Sequence, residues 1–267
     1  MICLLFGTDG IRGKIITNPE KDSSTIEDLQ KRRCISPRFM RLVGEALTRI
    51  IKIDDTVIVG WDNRPDNPKL VDALTQGLHL GGCKVIHAGN CATPGLHNAL
   101  LETKSALGCM ITASHNPVTD SGIKVFDNKG FKTDPETELI LSELIIQLAA
   151  EDREISDDYL MGITKSDSTF NADFAHQEIL TIRFAEFTGM FAPPNLKEML
   201  LDSSRGAGSI WLAKMLKEFG IDATEISHEA AAMNERCGAG ELSPTDSWTW
   251  AEAENSDHLL IQKIKSA

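Results

Sequence analysis

The chain has 267 residues, of which 42% are hydrophobic, 25% are charged and 6% are aromatic. This composition is typical of a soluble globular protein with a mainly aliphatic core, and the length has room for two domains at most. The net charge of −12 argues against a surface that binds nucleic acid or an anionic membrane, since both select basic patches.

The six cysteines are interpreted as reduced thiols, most of them buried. None of them forms a C-x-x-C pair, and a chain of this length does not need disulfides for stability. The N-terminus has neither the basic lead nor the apolar run of a secretory signal, and no segment approaches the ~18 apolar residues of a membrane span. The sequence therefore predicts a cytoplasmic protein.

The first half of the chain predicts alternating strands and helices. Residues 18–34 are polar and lack periodicity, which favours a solvated surface segment with Arg32 and Arg33 exposed. After it, short β-branched runs predict strands, and apolar residues at helical spacing predict helices. The predicted strands are 56–62, 84–88 and 106–112, with helices at 68–82 and 96–101. This alternation implies parallel strands joined by right-handed crossovers, and so an α/β domain.

The second half repeats the same kind of architecture. An amphipathic helix at 134–152 closes the first domain, and the polar stretch 152–172 is interpreted as a linker. The elements predicted beyond it are a helix at 173–187, a strand at 196–202, a small-residue loop at 203–209, a helix at 210–219 and a strand at 221–226. The expected domains are residues 1–152 and 153–267.

A segment rich in glycine and charge lies near the start of the chain. In residues 6–13 (FGTDGIRG), the backbone around Thr8 and Gly10 can approach an anion closely, and Arg12 adds a planar bidentate donor for phosphate. A tight turn in which Arg12 pairs with Asp9 explains the same residues equally well.

In residues 60–65 (GWDNRP), Asp62 and Arg64 follow a predicted strand, where ligands of α/β sheets gather. They are candidate phosphate-binding residues, although a simple pair between them has equal weight. The segment 91–95 (CATPG) also follows a strand and is more often an ordinary turn.

Residues 112–124 (TASHNPVTDSGIK) combine a hydroxyl, an imidazole and a lysine beyond a third predicted strand. Phosphoryl transfer through a nucleophile needs an exposed hydroxyl, donors for the phosphate oxygens and a nearby acid or base. Ser114, the amides around it, His115 and Lys124 could supply these parts. An ordinary loop is one alternative. A serine hydrolase is another, but the chain lacks the G-x-S-x-G turn of the α/β-hydrolases.

The order and spacing of these segments resemble the α-D-phosphohexomutase family, and within it most closely the phosphoglucosamine mutases. The segments FGTDGIRG, G-x-D-x-R, T-P and TASHNP with D-x-G-I-K occur in the family's order, and the likeness continues through 202–209 and 234–239. Several ordered motifs must coincide to produce this resemblance, which makes it specific. It implies a three-layer α/β/α domain with a mixed sheet, followed by a second, similar but incomplete α/β domain.

The resemblance also implies a chemistry. Ser114 would be the phosphoserine of an enzyme that interconverts hexosamine 6-phosphate and 1-phosphate through a bisphosphorylated sugar. Its phosphate would provide one Mg²⁺ ligand. Arg12 and Lys124 match family residues near the transferring phosphoryl group, with Lys124 a candidate acid or base, and His115 matches the histidine beside the nucleophile. Cations and Mg²⁺ suit this role because they offset charge on the phosphoryl oxygens.

The sequence departs from the family in two places. Ser121 stands where the family commonly has Asn, which is expected to loosen a loop hydrogen bond. The family's aspartate-rich metal loop is absent, as are the sugar-reading and phosphate-binding segments of its later domains. The Mg²⁺ site is therefore expected to be incomplete and the chain alone inactive. The open edge of the second sheet is a candidate surface for homo-oligomers.

The amino-acid sequence leaves three functions open. The leading one is the phosphoserine-bearing part of a phosphoglucosamine-type mutase acting on a phosphosugar. A phosphomannomutase or phosphoglucomutase paralogue is the second, since the residues present do not distinguish hexose phosphates. The third is a non-catalytic phosphosugar-binding protein that has lost the metal site.

Overall fold

A computed structural model describes residues 4–156, 159–160, 162, 167–191, 198–238 and 247–266. The chain separates into two compact units. The first comprises Met1–Ala113 and Thr119–Asp173, and the second comprises Ser114–Val118 and Phe174–Ala267. The linker composition predicts a boundary at residue 152, and that division stays a prediction.

The first unit is an α/β domain built on a seven-stranded mixed sheet. The strands are β1 (Ile11–Ile15), β2 (Cys34–Ile35), β3 (Thr56–Trp61), β4 (Lys84–Asn90), β5 (Leu107–Ile111), β6 (Asp120–Asp127) and β7 (Ser168–Thr169). Their order across the sheet is β2–β1–β6–β5–β3–β4–β7. Strand β6 runs antiparallel to β1 and β5, and the remaining neighbours are parallel.

Helices cover both faces of this sheet. They are α1 (Asp22–Arg32), α2 (Pro37–Leu47), α3 (Asn67–Leu80), α4 (Thr93–Thr103) and α5 (Pro135–Ala150). Alternation along β3 shows the layering: Val57 and Val59 belong to the core cluster that contains α1, α2, α3 and α5, whereas Ile58 packs in a second cluster with α4. The domain therefore has three layers, as the sequence predicts.

The strand–helix alternation predicted between residues 56 and 112 is confirmed. All three strands and both helices are present, and β3 pairs in parallel with β4 and with β5. The helix predicted at 134–152 is confirmed as α5, which Asp134 caps by accepting a hydrogen bond from the Thr137 amide at 2.8 Å.

The prediction of a solvated segment at residues 18–34 is wrong. Helix α1 occupies most of it and packs through Leu29, which is 1% exposed. Its first residue, Asp22, is fully buried because Arg41 of α2 donates to both carboxylate oxygens at 2.7 Å. A buried charge that is paired in this way is compatible with the core. Because the buried residue is charged, it does not contribute to the apolar spacing from which a helix is predicted. Arg32 and Arg33 are exposed, as predicted.

The polar stretch 152–172 is not simply a linker. Its described end forms β7, which pairs in parallel with β4 and stands last in the strand order on that side of the sheet. Asp167 lies beside β7 and contacts the Nε2 atoms of His79 at 2.8 Å and His87 at 3.1 Å. These polar contacts add to the packing of Phe170 and Ala172 in the second cluster, and together they attach the segment to the sheet. Residues 157–158, 161 and 163–166 lie outside the described ranges.

The second unit contains a smaller parallel pairing. Helix α6 (Ala172–Met190) leads to β8 (Met199–Leu201), α7 (Leu212–Glu218) and β9 (Ala223–Glu225), followed by α8 (Trp250–Asn255) and α9 (Leu259–Ser266). Strands β8 and β9 are parallel neighbours, which confirms the predicted strand–helix–strand pattern. The start of the strand predicted at 196–202 lies outside the described residues.

Cysteine burial and helix length bear on two further expectations. The described cysteines, at 34, 83, 91, 109 and 237, are buried thiols outside any disulfide. Burial raises the pKa of both the Cys91 and the Cys109 thiol to about 12, so both are held in the neutral form. Within the described part of the chain, no helix is long and apolar enough to cross a membrane.

Helices α2 and α3 are packed with almost no space between their backbones. Gly44 of α2 and Gly77 of α3 face each other: a Cβ on Gly77 would lie 2.1 Å from the Arg41 carbonyl oxygen, and one on Gly44 would lie 2.4 Å from the Leu74 carbonyl oxygen. The obstructing atoms are backbone, so no side-chain rotation can relieve the overlap. This contact determines how both helices lie on the sheet.

We therefore expect Gly77→Ala to destabilise the first unit. The two helix backbones must move apart to admit the methyl group, at a cost of about 1–3 kcal/mol or more in the free energy of unfolding. Urea unfolding measures it. Gly189→Ala is the control, because its Cβ has nothing within 4 Å and the added methyl raises helix propensity. Equal stability of Gly77→Ala and the wild type would contradict the packing described.

Candidate functional site

A buried carboxylate at the carboxyl ends of the central strands organises the first part of the site. Asp62 follows β3 and is 9% exposed. Its Oδ2 accepts a hydrogen bond from the Thr112 hydroxyl at 2.6 Å, and its Oδ1 accepts one from the Asn67 amide at 2.7 Å. Arg64 completes the set, with its Nε 3.3 Å from Oδ2. One carboxylate therefore joins the segments that follow β3 and β5.

Arg64 is placed inside this network. It is 1% exposed, and besides Asp62 it donates to the carbonyl oxygen of Asp120 at 2.9 Å. Asn67 extends the network, because its Oδ1 accepts a hydrogen bond from the buried Ser121 hydroxyl at 2.6 Å. The residue that departs from the family pattern thus makes a short hydrogen bond. The contacts of Asp62 and Arg64 favour a role in holding these loops, and phosphate binding by them stays a prediction.

A second carboxylate gathers the basic side chains of the site. Asp9 Oδ2 lies 2.5 Å from Arg12 Nη2 and 2.7 Å from Lys124 Nζ. Arg12 lies on β1 and Lys124 on β6, two strands that pair antiparallel with Ile11 opposite Ile123. The register of this pair therefore brings together two cations that are 112 residues apart in the sequence.

Electrostatics keep the Asp9 carboxylate ionised. Burial acts to raise its pKa, but the hydrogen bond and charge of Lys124, together with the other nearby cations, outweigh burial and lower the pKa below its ordinary value. Lys132 adds a third cation, with its Nζ 3.6 Å from Asp9 Oδ1. Three cations on one carboxylate leave a local surplus of positive charge in an acidic protein, and such a surplus suits an anionic ligand.

The glycine-rich turn shapes the backbone beside these cations. The Gly7 amide donates to the Gly10 carbonyl oxygen at 2.8 Å, and the Thr8 carbonyl oxygen accepts a hydrogen bond from Lys132. Gly10 has a φ of 86°, and a Cβ there would lie 2.1 Å from the Ile123 carbonyl oxygen. Only glycine fits this crossing of β1 and β6. Thr8 and Gly10 thus lie next to Asp9, where the sequence predicts an anion site.

The segment that carries Ser114 turns sharply at the end of β5. Ser114 has a φ of 55°, a left-handed conformation that is uncommon for a residue with a side chain. The preceding Ala113 carbonyl oxygen accepts a hydrogen bond from Arg12 Nη1 at 3.3 Å. Ser114 is partly exposed and His115 is exposed. Residues 114–118 pack with the second unit.

Loops of the second unit contain further left-handed residues. Ser204 and Arg205 have φ values of 57° and 55°, and Asn234 has a φ of 59°. Glu225 accepts hydrogen bonds from the backbone and side chains of Ser203 and Ser227. Burial acts to raise the Glu225 pKa, but these hydrogen bonds outweigh burial and lower it.

Sequence reasoning missed several residues of the site. Asp9 entered only as a partner for Arg12, and its bridge to Lys124 depends on strand register. No motif marked Asn67 or Lys132 as a site residue. Asn67 is only close in sequence to Asp62, and Lys132 is only close to the end of β6. Asn234 was noted only as part of a resembling segment. Among the residues described, no three or more His, Cys, Asp and Glu side chains are grouped so that they could hold a metal ion.

Comparison with known families identifies the first unit. Residues 4–151 match the phosphoglucomutase/phosphomannomutase family, alpha/beta/alpha domain I. The matched region is more than half of the chain and contains Asp9, Arg12, Asp62, Ser114 and Lys124.

Individual relatives extend the match beyond that domain. A phosphoglucosamine mutase of Parasynechococcus marenigrum (strain WH8102) is 30% identical over 245 residues, which are 90% of this chain and 46% of that protein. One from Francisella tularensis subsp. novicida (strain U112) is 31% identical over 239 residues, 88% of this chain and 48% of that protein. The chain thus spans about half the length of the curated relatives it matches.

The fold is shared with a solved structure. The crystal structure of a phosphoglucomutase/phosphomannomutase family protein from Burkholderia thailandensis has a TM-score of 0.59 and 22% sequence identity, covering 88% of this chain and 46% of that one. At this identity the similarity concerns the fold alone.

The Asp62 network generates a prediction about Arg64. Arg64→Met removes the cation from a buried pair, which typically costs about 3–5 kcal/mol because the remaining carboxylate is left uncompensated. We expect that loss in the urea unfolding of the first unit. Lys69→Met is the matched control, since the Lys69–Asp66 pair is exposed and such pairs contribute about 1 kcal/mol or less. Equal effects of the two substitutions would show that Arg64 does not hold these loops.

Proposed function

Since this chain belongs to the phosphoglucomutase/phosphomannomutase family, we propose that Ser114 carries a phosphoryl group and exchanges it with a hexose phosphate. The bond between phosphorus and Ser114 Oγ breaks as a bond forms between phosphorus and a sugar hydroxyl oxygen. The hydroxyl proton passes to a nearby base, for which His115 is the candidate. The departing Ser114 Oγ takes up a proton from a nearby acid, for which Lys124, a cation paired with Asp9, is the candidate. The bisphosphorylated sugar then returns its other phosphoryl group to Ser114 Oγ, which restores the starting state.

The observation that carries this proposal is the cationic cluster on Asp9. Arg12 and Lys124 share one carboxylate oxygen, and Arg12 also donates to Ala113, the residue directly before Ser114. A phosphoryl group in transfer spreads negative charge over its oxygens, and preorganised cations stabilise that charge most when they do not have to move. Asp9 supplies the preorganisation, because it fixes both side chains before any ligand arrives.

The backbone of Ser114 supports the same role. A left-handed residue at the end of a strand costs about 1–2 kcal/mol, and such strain is concentrated at functional sites. The sharp turn separates the Ser114 side chain from the β5 strand that precedes it. A nucleophile needs such a position, since its oxygen must reach both phosphorus and solvent-borne substrate.

The proposed substrate is a hexosamine phosphate, interconverted between its 6-phosphate and 1-phosphate forms. Support comes from the two relatives described above, both of them phosphoglucosamine mutases at 30% and 31% identity. A phosphomannomutase or phosphoglucomutase activity is the alternative, because the domain I match covers the whole phosphoglucomutase/phosphomannomutase family.

Mg²⁺ belongs to the chemistry that the family resemblance implies, and a phosphate on Ser114 would provide one of its ligands. The described residues do not form a complete site for the ion, since they contain no suitable group of three His, Cys, Asp or Glu side chains. The proposed contribution of this chain is the nucleophile, the loop that holds it and the cationic cluster on Asp9.

The half-reaction that loads Ser114 tests this proposal. We expect the chain, incubated with glucose 1,6-bisphosphate and Mg²⁺, to gain the mass of one phosphoryl group, because this compound is the glucose counterpart of the bisphosphorylated sugar from which the serine is recharged. Ser114→Ala should gain none. Intact-protein mass spectrometry measures the gain.

Ser168→Ala is the matched control, because Ser168 is an exposed serine of the first unit at the sheet edge. It should gain the phosphoryl group as the wild type does. Absence of phosphate on the wild type, before and after incubation, would overturn the proposal and favour a non-catalytic phosphosugar-binding protein.

A further inference from the structure

The Ser114 turn is held by one side chain from a distant part of the sequence. Asn234 is 7% exposed, and its Nδ2 donates to the carbonyl oxygen of Ser114 at 2.9 Å and to that of Asn116 at 3.0 Å. The two carbonyls lie on either side of His115. Asn234 and residues 114–118 belong to the same compact unit.

These two hydrogen bonds act on the strained part of the turn. Fixing the Ser114 carbonyl fixes the rotation about the Cα–C bond of Ser114, whose φ of 55° already lies in the left-handed region. That region costs a residue with a side chain about 1–2 kcal/mol. Two hydrogen bonds of about 1 kcal/mol each offset such a cost. The amide therefore stabilises a conformation that Ser114 would otherwise leave.

Asn234 is itself held by backbone contacts. The backbone nitrogen of Asn234 donates to the Ser204 carbonyl oxygen at 3.2 Å. The Asp202 carboxylate accepts hydrogen bonds from the backbone nitrogens of Ser204 at 2.9 Å and Gly238 at 2.6 Å, one on each oxygen. Asp202 thus ties together the loops before and after Asn234. These hydrogen bonds hold the backbone around Asn234, so its side-chain amide has little freedom to follow movements of the Ser114 turn.

We propose that Asn234 is a positioning residue for the nucleophile: by binding the carbonyls of Ser114 and Asn116 it holds the Ser114 hydroxyl in the orientation required for phosphoryl transfer. The inference rests on the proposed function of Ser114. It adds a residue that never touches the phosphoryl group and acts only through the turn. A side chain from the second unit then controls the rate at which the serine is loaded.

Two substitutions in the full chain separate positioning from folding. Asn234→Gly removes the side-chain amide but keeps a residue for which a φ of 59° is unstrained. Asn234→Asp keeps the size but replaces the donor by a carboxylate that repels both carbonyl oxygens. We expect either change to slow transfer from glucose 1,6-bisphosphate to Ser114 by about 100-fold, the usual effect of a misplacement of about 1 Å.

Acid should restore part of the rate in one variant only. Burial beside two carbonyl oxygens raises the pKa of the introduced carboxyl above its ordinary value of about 4. As the pH falls toward that range, the protonated acid of Asn234→Asp regains one O–H donor, so its rate relative to the wild type should rise. Asn234→Gly has no titrating group and should show no recovery. A defect that only destabilised the fold would not make the loading rates of Asn234→Asp and Asn234→Gly differ in their pH dependence.

Asn255→Asp is the matched control. The Asn255 amide also donates to a backbone carbonyl, that of Ala251 at 2.9 Å, but on an exposed helix. It should load at the wild-type rate. Amide hydrogen exchange in residues 113–119 should be about tenfold faster in both Asn234 variants and unchanged in this control.

The outcomes separate the two proposals. If the wild type accepts phosphate and both Asn234 variants load at its rate, the positioning role is overturned while the function of Ser114 stands. Slow loading of both variants without acid recovery of Asn234→Asp also overturns the role, because the missing donor would not be the cause. If the wild type accepts no phosphate, both proposals fall together.

Discussion

The buried carboxylate of Asp62 is the constraint on which the rest of the site depends. It joins the segments after β3 and β5 by accepting hydrogen bonds from Arg64, Asn67 and Thr112. A charge with 9% exposure is compatible with the core because a cation and two neutral donors replace its water. Thr112 lies two residues before Ser114, so this carboxylate determines where the Ser114 turn leaves the sheet.

Much of the fold could be predicted from the sequence, and the exceptions share a cause. The strands and helices between 56 and 112 are short apolar runs separated by glycine and proline, so pattern and structure agree. Helix α1 was missed because its first residue, Asp22, is buried by pairing with Arg41 rather than by apolar packing. Strand β7 was missed because Asp167 attaches its polar segment to two histidines. Both depend on partners distant in sequence, which local periodicity cannot reveal.

The candidate site was predicted as a set of segments but not as an arrangement. The residue types alone predicted Arg12, Ser114 and Lys124 as site residues. The structure also contains the Asp9–Arg12 ion pair, which was the alternative explanation for Arg12. Phosphate binding by Arg12 and its ion pair with Asp9 are compatible. The pair holds the Arg12 side chain in place, and the three cations on Asp9 still leave a surplus of positive charge. The link to Lys124 follows from the antiparallel register of β1 and β6, and the Asn234 contact joins residues 120 positions apart. Neither the register nor the left-handed φ of Ser114 is encoded in a motif.

The central claim is that one serine, partly exposed and left-handed just beyond the end of β5, is the phosphoryl acceptor of this chain. Peptide-level tandem mass spectrometry after incubation with glucose 1,6-bisphosphate tests it most directly, because it identifies the modified hydroxyl. The account predicts a single phosphate on Ser114. Phosphate on another hydroxyl, such as that of Ser203 or Ser204, or on no residue at all, would contradict it.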